Sequence, residues 1–428
     1  MKKVVKKIAL LLIVFGIGVG VTLLYTNNKY KVYEEEEPKQ IKKHVDTISM
    51  MLETEAGSGN YEMTTRSEWP TDGYIFNTTL SKCENGGELS WDDTNKRVLM
   101  SGNVSDKCYV YFDVYVPPTV VSDVCNGGET LSTCITTLSQ NSTSSYTNIY
   151  HHDSALANGA GDNSYRYAGA NPNNFVCFGT NTTTCPTDNL YRIIGVFGNQ
   201  VKLIKYDYAT SALLGTDGDY KGTGTPNASY YKGSLTTINT YYWNKATSKN
   251  TWSESNLNKV NLNTNFINNI RSEWAAKIAE TTWKVGGNTF ANIGTQPAKT
   301  AYQNEIVSPV TTNTTDGATE YSAKIGLMYV SDYMYAASQD KWTLVGNGSA
   351  TTDYRAATSV NWMYMGFGDW TISRIADNSS SVFGMYSTGY VDYGYVGGNS
   401  GCRPSFSLLS STTYVSGSGS ASDPMVIN

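Results

Sequence analysis

The chain has 428 residues, of which only 16% are charged, and its formal net charge is −5. This length permits two or three domains and a sizeable core. The weak negative charge excludes the basic surface that nucleic-acid binding requires, so we predict no nucleic-acid partner. Tyrosine is abundant, at 32 residues against 3 histidines, which is typical of β-rich extracellular proteins. The few histidines leave few general bases or metal ligands, and we predict no metal and no cofactor.

The first segment of the chain combines lysines with a long apolar run. Residues 1–7 carry four lysines, and residues 8–25 carry no charge. An apolar helix of this length rises roughly 27 Å, close to the hydrocarbon thickness of a bilayer. Lysines before the run keep residues 1–7 in the cytoplasm and export the rest. A cleaved signal peptide is the alternative, but no small-x-small site follows. We predict an uncleaved signal anchor and a single-pass protein of the cell membrane.

The spacing of the seven cysteines also indicates export. Six of them fall into local pairs, and we assume disulfides between nearest neighbours: Cys83 with Cys108, Cys125 with Cys134, and Cys177 with Cys185. Other connectivities remain open, because six cysteines can pair in many ways. A zinc site is not indicated, because the sequence has no CxxC motif and no Cys/His cluster. Cys402 is left over.

Three segments are predicted between the membrane and the C-terminal domain. Residues 26–65 are polar and are predicted to form a stalk, with a short helix over residues 39–55. Residues 66–118 contain alternating runs separated by turn clusters and are predicted to form a small all-β domain. The predicted strands are Tyr74–Ser81, Glu88–Trp91, Arg97–Met100 and Cys108–Val116. Residues 119–145 are rich in Ser and Thr and are predicted to be a linker with a disulfide loop.

Residues 146–428 are predicted to form one large domain. A hairpin is expected where LYRIIGVF and VKLIKYDY flank the turn GNQ. A helical region follows, which Ser253 or Ser255 caps. Its apolar stripe consists of Leu257, Val260, Leu262, Phe266, Ile267 and Ile270. A buried strand and a short helix are predicted in AKIGLMYVSDYMYAAS, and His151 and His152 are predicted to lie in a surface loop.

Six motifs occur in a fixed order between residues 173 and 428: LYRIIGVF, WSESNLNKVNLNTNF, IGLMYVSDYMYA, DWTISRIADNSSSVFGMYSTGYVDYGYV, GCRPSFSL and GSGSASDPMVI. The ordered set resembles a family of uncharacterised exported domains of gut Firmicutes, which has W-x-x-R and G-V-R-P motifs. That family is in turn similar to C-type-lectin-like folds, including formylglycine-generating-enzyme-like domains. The resemblance implies an α+β fold, with a C-type-lectin-like C-terminal domain after the small all-β spacer and the transmembrane helix.

The resemblance also assigns structural roles to the late motifs. It implies that Trp370, Arg374 and Arg403 hold a compact core, and Pro404 fixes the entry into the last core strand. Either arginine could instead bind an anionic ligand, but buried pairing is favoured. Cys402 stands where the family has an apolar residue. Without a nearby base it is predicted to be a small buried hydrophobe, rather than a nucleophile.

Aromatic residues are spaced among glycines from residue 364 to residue 395. Such rings give contact area at low entropic cost, as glycan-binding and protein-binding surfaces require. The predicted ligand-binding residues are Tyr364, Phe367, Tyr386, Tyr390, Tyr393 and Tyr395. Trp370 and Phe383 are predicted to point inward. The sequence thus predicts a membrane-anchored binding or adhesion protein for a glycan or a surface protein, and no enzyme. The alternatives are a structural surface protein without a specific ligand, and a hydrolase with two carboxylates in a cleft.

Overall fold

The computed structural model describes residues 47–70, 73–102, 106–115, 121–140, 148–182, 184–310 and 318–428. The chain divides into two compact units, residues 1–117 and residues 118–428. The predicted α+β class is confirmed, with many short strands and few helices. In the described part of the chain no helix has the length and apolar character to cross a membrane. The predicted span over residues 8–25 lies outside the described residues.

Every element described in the first unit is a strand. The strands are β1 Thr47–Glu53, β2 Tyr61–Thr64, β3 Tyr74–Phe76, β4 Lys82–Cys83, β5 Glu88–Asp92, β6 Arg97–Ser101 and β7 Lys107–Val114. Five of them form a sheet in the order β2-β1-β7-β3, in which β4 also pairs with β7. Strands β5 and β6 form a separate hairpin. The four runs that the sequence predicts as strands in this segment are all present: β5 and β6 are each one residue longer than predicted, β3 is shorter, and β7 begins and ends earlier.

The first strand corrects the prediction of a helix over residues 39–55. Strand β1 pairs with β7 in parallel, from Thr47 opposite Lys107 to Leu52 opposite Phe112, and with β2 in antiparallel. Met50 is buried with Phe112 in the small core of this unit, and Leu52 packs against it. Residues two apart share a face in a strand but not in a helix. Burial of this pair decides the conformation over local preference, and residues 47–53 of the predicted stalk are part of the sheet.

The disulfide Cys83–Cys108 joins β4 to β7 and supports a core of only four buried apolar residues. We predict that the variant Cys83→Ser/Cys108→Ser lowers the free energy of unfolding of this unit by about 3 kcal/mol, because the bridge restricts the unfolded chain over a separation of 25 residues. Denaturant unfolding followed by hydrogen exchange of the backbone N–H groups in β1 and β7 gives the midpoint for this unit. An unchanged midpoint contradicts the prediction.

Seventeen further strands lie in the described residues of the second unit. They are β8 Ile149–His151, β9 Tyr165–Tyr167, β10 Phe175–Cys177, β11 Leu190–Phe197, β12 Gln200–Lys205, β13 Tyr220–Gly224, β14 Ile238–Tyr241, β15 Thr281–Lys284, β16 Gly287–Asn288, β17 Glu320–Ala323, β18 Ile325–Gly326, β19 Asp369–Ile375, β20 Ser381–Met385, β21 Val391–Tyr395, β22 Ser405–Ser407, β23 Tyr414–Ser416 and β24 Val426–Ile427. The largest sheet has the order β18-β22-β12-β11-β9-β8, and β10 also pairs with β11. A second sheet has the order β16-β19-β20-β21.

Short helices cover these sheets. They are α1 Val121–Val124, α2 Leu131–Gln140, α3 Ser211–Leu214, α4 Ile267–Asn269, α5 Ser272–Ala275, α6 Phe290–Ile293, α7 Ala298–Tyr302 and α8 Val330–Tyr335, with π-helices at Leu257–Phe266 and Gln303–Val307. Short 3-10 turns lie at Thr187–Asn189, Trp252–Glu254, Gln339–Lys341 and Tyr354–Ala357. The predicted hairpin of β11 and β12 is confirmed, as are the buried strand β18 and the short helix α8.

Two predictions for this unit are corrected. Residues 119–145 contain α2, whose Leu131 and Leu138 are fully buried in the core, so this segment belongs to the second unit and is not a linker. The helical region begins with a π-helix, whose wider turn changes which side chains share a face. Val260 is therefore only half-buried, whereas Asn258 and Asn261 are buried. All three predicted disulfides are present.

Candidate functional site

A cleft with a volume of about 460 Å³ lies in the second unit, over the sheet that contains β19, β20 and β21. Its floor consists of Trp370, the second residue of β19, and of glycines on or beside these strands, such as Gly368, Gly384 and Gly394. Its walls are aromatic, and its rim is polar. Aromatic and rim residues include Thr225, Asn227, Phe367, Trp370, Tyr386, Ser387, Tyr395, Asn399 and Ser400. We call this the glycine-floored cleft.

The floor of the cleft depends on close approach between glycines and the Trp370 indole. Trp370 is buried, and its Nε1 donates a hydrogen bond to the carbonyl of Tyr241 at 2.8 Å. A Cβ atom on Gly394 would lie 3.2 Å from the indole ring, and one on Gly384 would lie 3.1 Å from the carbonyl oxygen of Asp369. Both separations are tighter than ordinary packing allows, so larger residues here would shift the floor.

The walls of the cleft are tyrosines that stand out from the protein. Tyr386 is 40% exposed and Tyr395 is 50% exposed. The Tyr386 ring stacks on the Tyr390 ring, with centroids 4.8 Å apart, and the Arg355 guanidinium lies 4.8 Å from the centre of the Tyr390 ring on β21's approach turn. These contacts hold the Tyr386 wall in position, which reduces the entropy that a ligand must remove on binding.

The rim of the cleft offers neutral hydrogen-bonding groups. Asn227 and Asn399 provide exposed amides, and Ser387 and Ser400 provide hydroxyls. Among the residues that line this cleft, none is an acid, a histidine, a lysine, an arginine or a cysteine. Acid–base or nucleophilic chemistry needs such groups beside the reacting atoms. The arrangement can orient a neutral polar ligand, and it does not provide a catalytic pair.

The structure brings only part of the predicted ligand face together. Phe367, Tyr386 and Tyr395 line the glycine-floored cleft, whereas Tyr390 supports Tyr386 from behind. Tyr393 is exposed but lies outside the lining, with its ring 5.4 Å from that of Phe290. Phe383 is fully buried and Trp370 nearly so, as the inward orientation requires.

Tyr364 differs from the expectation of an exposed binding residue. It is buried, and its hydroxyl donates a hydrogen bond to the carbonyl of Ser387 at 2.7 Å. The sequence reasoning also missed Thr225 and Asn227, which reach the cleft from more than a hundred residues upstream. A turn-forming Thr-Pro-Asn in a polar stretch is the only local signal that these residues carry.

Arg403 lies in a buried ion pair beside the cleft floor. Its Nε donates to Oδ2 of Asp369 at 2.5 Å, and its Nη2 donates to the carbonyl of Met363 at 2.9 Å. Burial raises the pKa of Asp369 to about 6, although Arg403 opposes this shift. Asp369 precedes Trp370, so the ion pair fixes the start of β19. Arg403 is thus in contact with the protein rather than open to a ligand.

The other residues assigned to the core are also buried. Cys402 has no exposed surface, and burial raises the pKa of its thiol well above the usual value, which leaves it protonated. Arg374 donates a hydrogen bond to the carbonyl of Ala318. The carbonyl of Pro404 accepts a hydrogen bond from the backbone N–H of Lys205 at 3.0 Å, beside strand β22.

A second cleft, of about 240 Å³, contains two carboxylates and therefore bears on the hydrolase alternative. Asp332 accepts a hydrogen bond from Nζ of Lys202 at 2.5 Å, and Asp162 accepts one from Nη2 of Arg166 at 2.5 Å. Burial alone would raise the pKa of Asp162, but Arg166 and Ser164 hold it at about 2. A glycosidase needs one protonated carboxylic acid, and both carboxylates here are occupied by cations.

The prediction of a surface loop is wrong for both histidines, because His151 ends strand β8 and is half-buried, and His152 lies in the core. His152 is fully buried against Tyr335 and Trp342, and its Nδ1 accepts the N–H of Ala160 at 3.1 Å. Burial lowers the pKa of His152 to about 2, so the ring stays neutral. It is a core residue.

Three comparisons with known proteins give no relative. No family model, no curated protein and no solved structure matches this chain. The function is therefore inferred from the geometry of the described residues and from the sequence motifs.

Proposed function

We propose that this chain is a membrane-anchored extracellular binding protein whose second unit holds a glycan in the glycine-floored cleft. One observation carries the proposal: a concave site of about 460 Å³ has exposed tyrosine walls, a tryptophan floor and a rim of neutral amides and hydroxyls. Its volume lies within the usual range of ligand pockets. Aromatic rings pack against the C–H faces of sugars, and amides bond to sugar hydroxyls.

The location and the finer fold belong to the same proposal. The apolar run over residues 8–25, preceded by lysines, supports a signal anchor, and the three disulfides support an oxidising compartment. The ordered motifs support a C-type-lectin-like second unit. The burial of Trp370, Arg374 and Arg403 within one unit is consistent with the core that this fold requires.

Substitutions of the two wall tyrosines, Tyr386 after β20 and Tyr395 at the end of β21, test the site. We expect Tyr395→Ala and Tyr386→Ala to weaken glycan binding about tenfold each, because each removes one wall of the cleft. The full-length chain in detergent is applied to a glycan array, and affinities for the best glycan are then measured by calorimetry.

Tyr393→Ala is the matched control for Tyr395→Ala. Tyr393 lies two residues earlier on β21 and is 47% exposed, close to the 50% of Tyr395, but it does not line the cleft. The Tyr393→Ala variant should bind the glycan with the same affinity as the unmodified protein. The proposal fails if no glycan binds, or if the control weakens binding as much as Tyr395→Ala.

A further inference from the structure

A separate cleft of about 450 Å³ in the second unit contains two positive charges and no negative one. Arg192 of β11 and Lys232 both line it, together with hydroxyls and amides such as those of Tyr206, Ser359 and Asn171. No aspartate or glutamate is among its lining residues. We call it the cationic cleft.

Arg192 is held rigidly at the inner wall of the cationic cleft. Arg192 is only 6% exposed, and its guanidinium lies close to two rings, 4.3 Å from the centre of Phe175 and 4.7 Å from that of Trp362. Nε donates to Asn174 Oδ1 at 2.7 Å, and the two Nη atoms donate to the carbonyls of Trp362 and Pro172. A guanidinium carries more N–H groups than these three contacts use.

No carboxylate compensates this charge. In the described part of the chain Arg192 and Lys232 form no ion pair, whereas the buried Arg166, Lys202 and Arg403 each pair with an aspartate. Burial lowers the pKa of Arg192 to about 9, which still leaves it charged at neutral pH. A buried charge without a counter-ion is unfavourable. An anion in the cleft would supply the missing partner.

We propose that the cationic cleft binds the carboxylate of an acidic sugar, such as a uronic acid. The rings of Phe175 and Trp362 pack against the guanidinium, which has N–H groups beyond those in its three hydrogen bonds. The edge of a planar guanidinium fits a planar carboxylate. The exposed Lys232 adds a second positive charge at the mouth, and the hydroxyls and amides suit the remaining ring oxygens of a sugar.

The position of the cationic cleft supports a sugar as the ligand. Tyr364 and Met365 line this cleft, and the next residues, Gly366 and Phe367, line the glycine-floored cleft. Consecutive Cα atoms are about 3.8 Å apart, so the two clefts are neighbours along this segment. The choice of a sugar rests on the proposed function, whereas the presence of an anion site does not.

Titration of the full-length chain with sodium glucuronate, glucose and inorganic phosphate tests the inference. We expect glucuronate to bind and to raise the midpoint of thermal unfolding, and glucose at the same concentration to have no effect. Lys232→Ala should weaken glucuronate binding about fivefold, since an exposed charge is lost while the fold is kept. Lys249→Ala, at an exposed lysine outside the cleft, should leave binding unchanged. Arg192→Lys should weaken it further.

The outcomes separate this inference from the proposed function. If glucuronate fails to bind, or Lys232→Ala and Lys249→Ala behave alike, the anion site is wrong. If phosphate binds as tightly as glucuronate, the assignment to an acidic sugar is wrong. Tyr395→Ala should leave glucuronate binding intact. If the glycine-floored cleft binds no glycan while glucuronate binds in a manner that depends on Lys232, the proposed function is wrong and the anion site is supported.

Discussion

Replacing Arg403 by methionine will lower the free energy of unfolding of the second unit by about 3–5 kcal/mol, because it leaves the buried Asp369 carboxylate without its counter-charge. The two side chains are 3% and 2% exposed, and no other cation pairs with Asp369 among the described residues. Denaturant unfolding followed by tryptophan fluorescence measures the loss. All of the nine tryptophans except Trp69 and Trp91 lie in the second unit, so the signal reports mainly on it.

Two controls distinguish the pair from a general loss of charge. Arg271 lies 3.4 Å from Glu273, and both side chains are about half exposed. Arg271→Met should therefore lower the free energy of unfolding by less than about 1 kcal/mol. The double variant Arg403→Met/Asp369→Leu should cost less than the two single changes added together, because neither partner is then left alone. Equal losses in Arg403→Met and Arg271→Met would show that the pair has no special role.

Raising the pH from about 6 to 8 will lower the free energy of unfolding of the second unit, and Glu305→Gln will abolish this decrease. Burial raises the pKa of Glu305 from 4.5 to about 7, although the backbone N–H groups of Val330 and Ser331 and the hydroxyl of Ser373 donate to its carboxylate. A raised pKa means that the folded state binds the proton more tightly than the unfolded state does.

The direction of the pH effect follows from which state, folded or unfolded, binds the Glu305 proton more tightly. The proton on Glu305 stabilises the folded state fully below pH 4.5, and this stabilisation is lost as the pH rises through 7. The difference between a pKa of 4.5 and one of about 7 corresponds to about 3 kcal/mol over the whole range. Asp369, whose pKa is about 6, acts in the same direction at lower pH, whereas His152, whose pKa is lowered to about 2, acts in the opposite direction below pH 6.5. The comparison is therefore made between pH 6 and pH 8. Glu320→Gln, at an exposed glutamate, should keep the dependence. An equal pH dependence in the unmodified protein and in Glu305→Gln would refute the role of Glu305.

Local sequence signals predicted the elements that depend on local contacts. Apolar runs around GNQ define the hairpin of β11 and β12, and close spacing pairs Cys125 with Cys134. The strand β1 could not be predicted in this way, since its partner β7 lies about sixty residues further along the chain. The π-helix was also missed, because apolar spacing was interpreted with the period of an α-helix.

The candidate site was predicted in part for the same reason. Tyr386 and Tyr395 are close in sequence to the strands that present them, so their clustering among glycines was a usable signal. Asn227 and the guanidinium of Arg192 reach their clefts from distant segments. Neither the burial of Arg192 nor its lack of an acidic partner is visible without the packing of Phe175 and Trp362 around it.

The parallel pairing of β1 with β7 has a mechanical consequence. These strands are the first and last elements described in the first unit, and they run side by side from Thr47 opposite Lys107 to Leu52 opposite Phe112. A pull between the start of β1 and the end of β7 slides the strands past each other, which loads all of their hydrogen bonds together instead of breaking them one after another. In the proposed membrane-anchored protein, tension between the anchor and a bound ligand would load this strand pair, and the parallel pairing would resist the separation of β1 from β7.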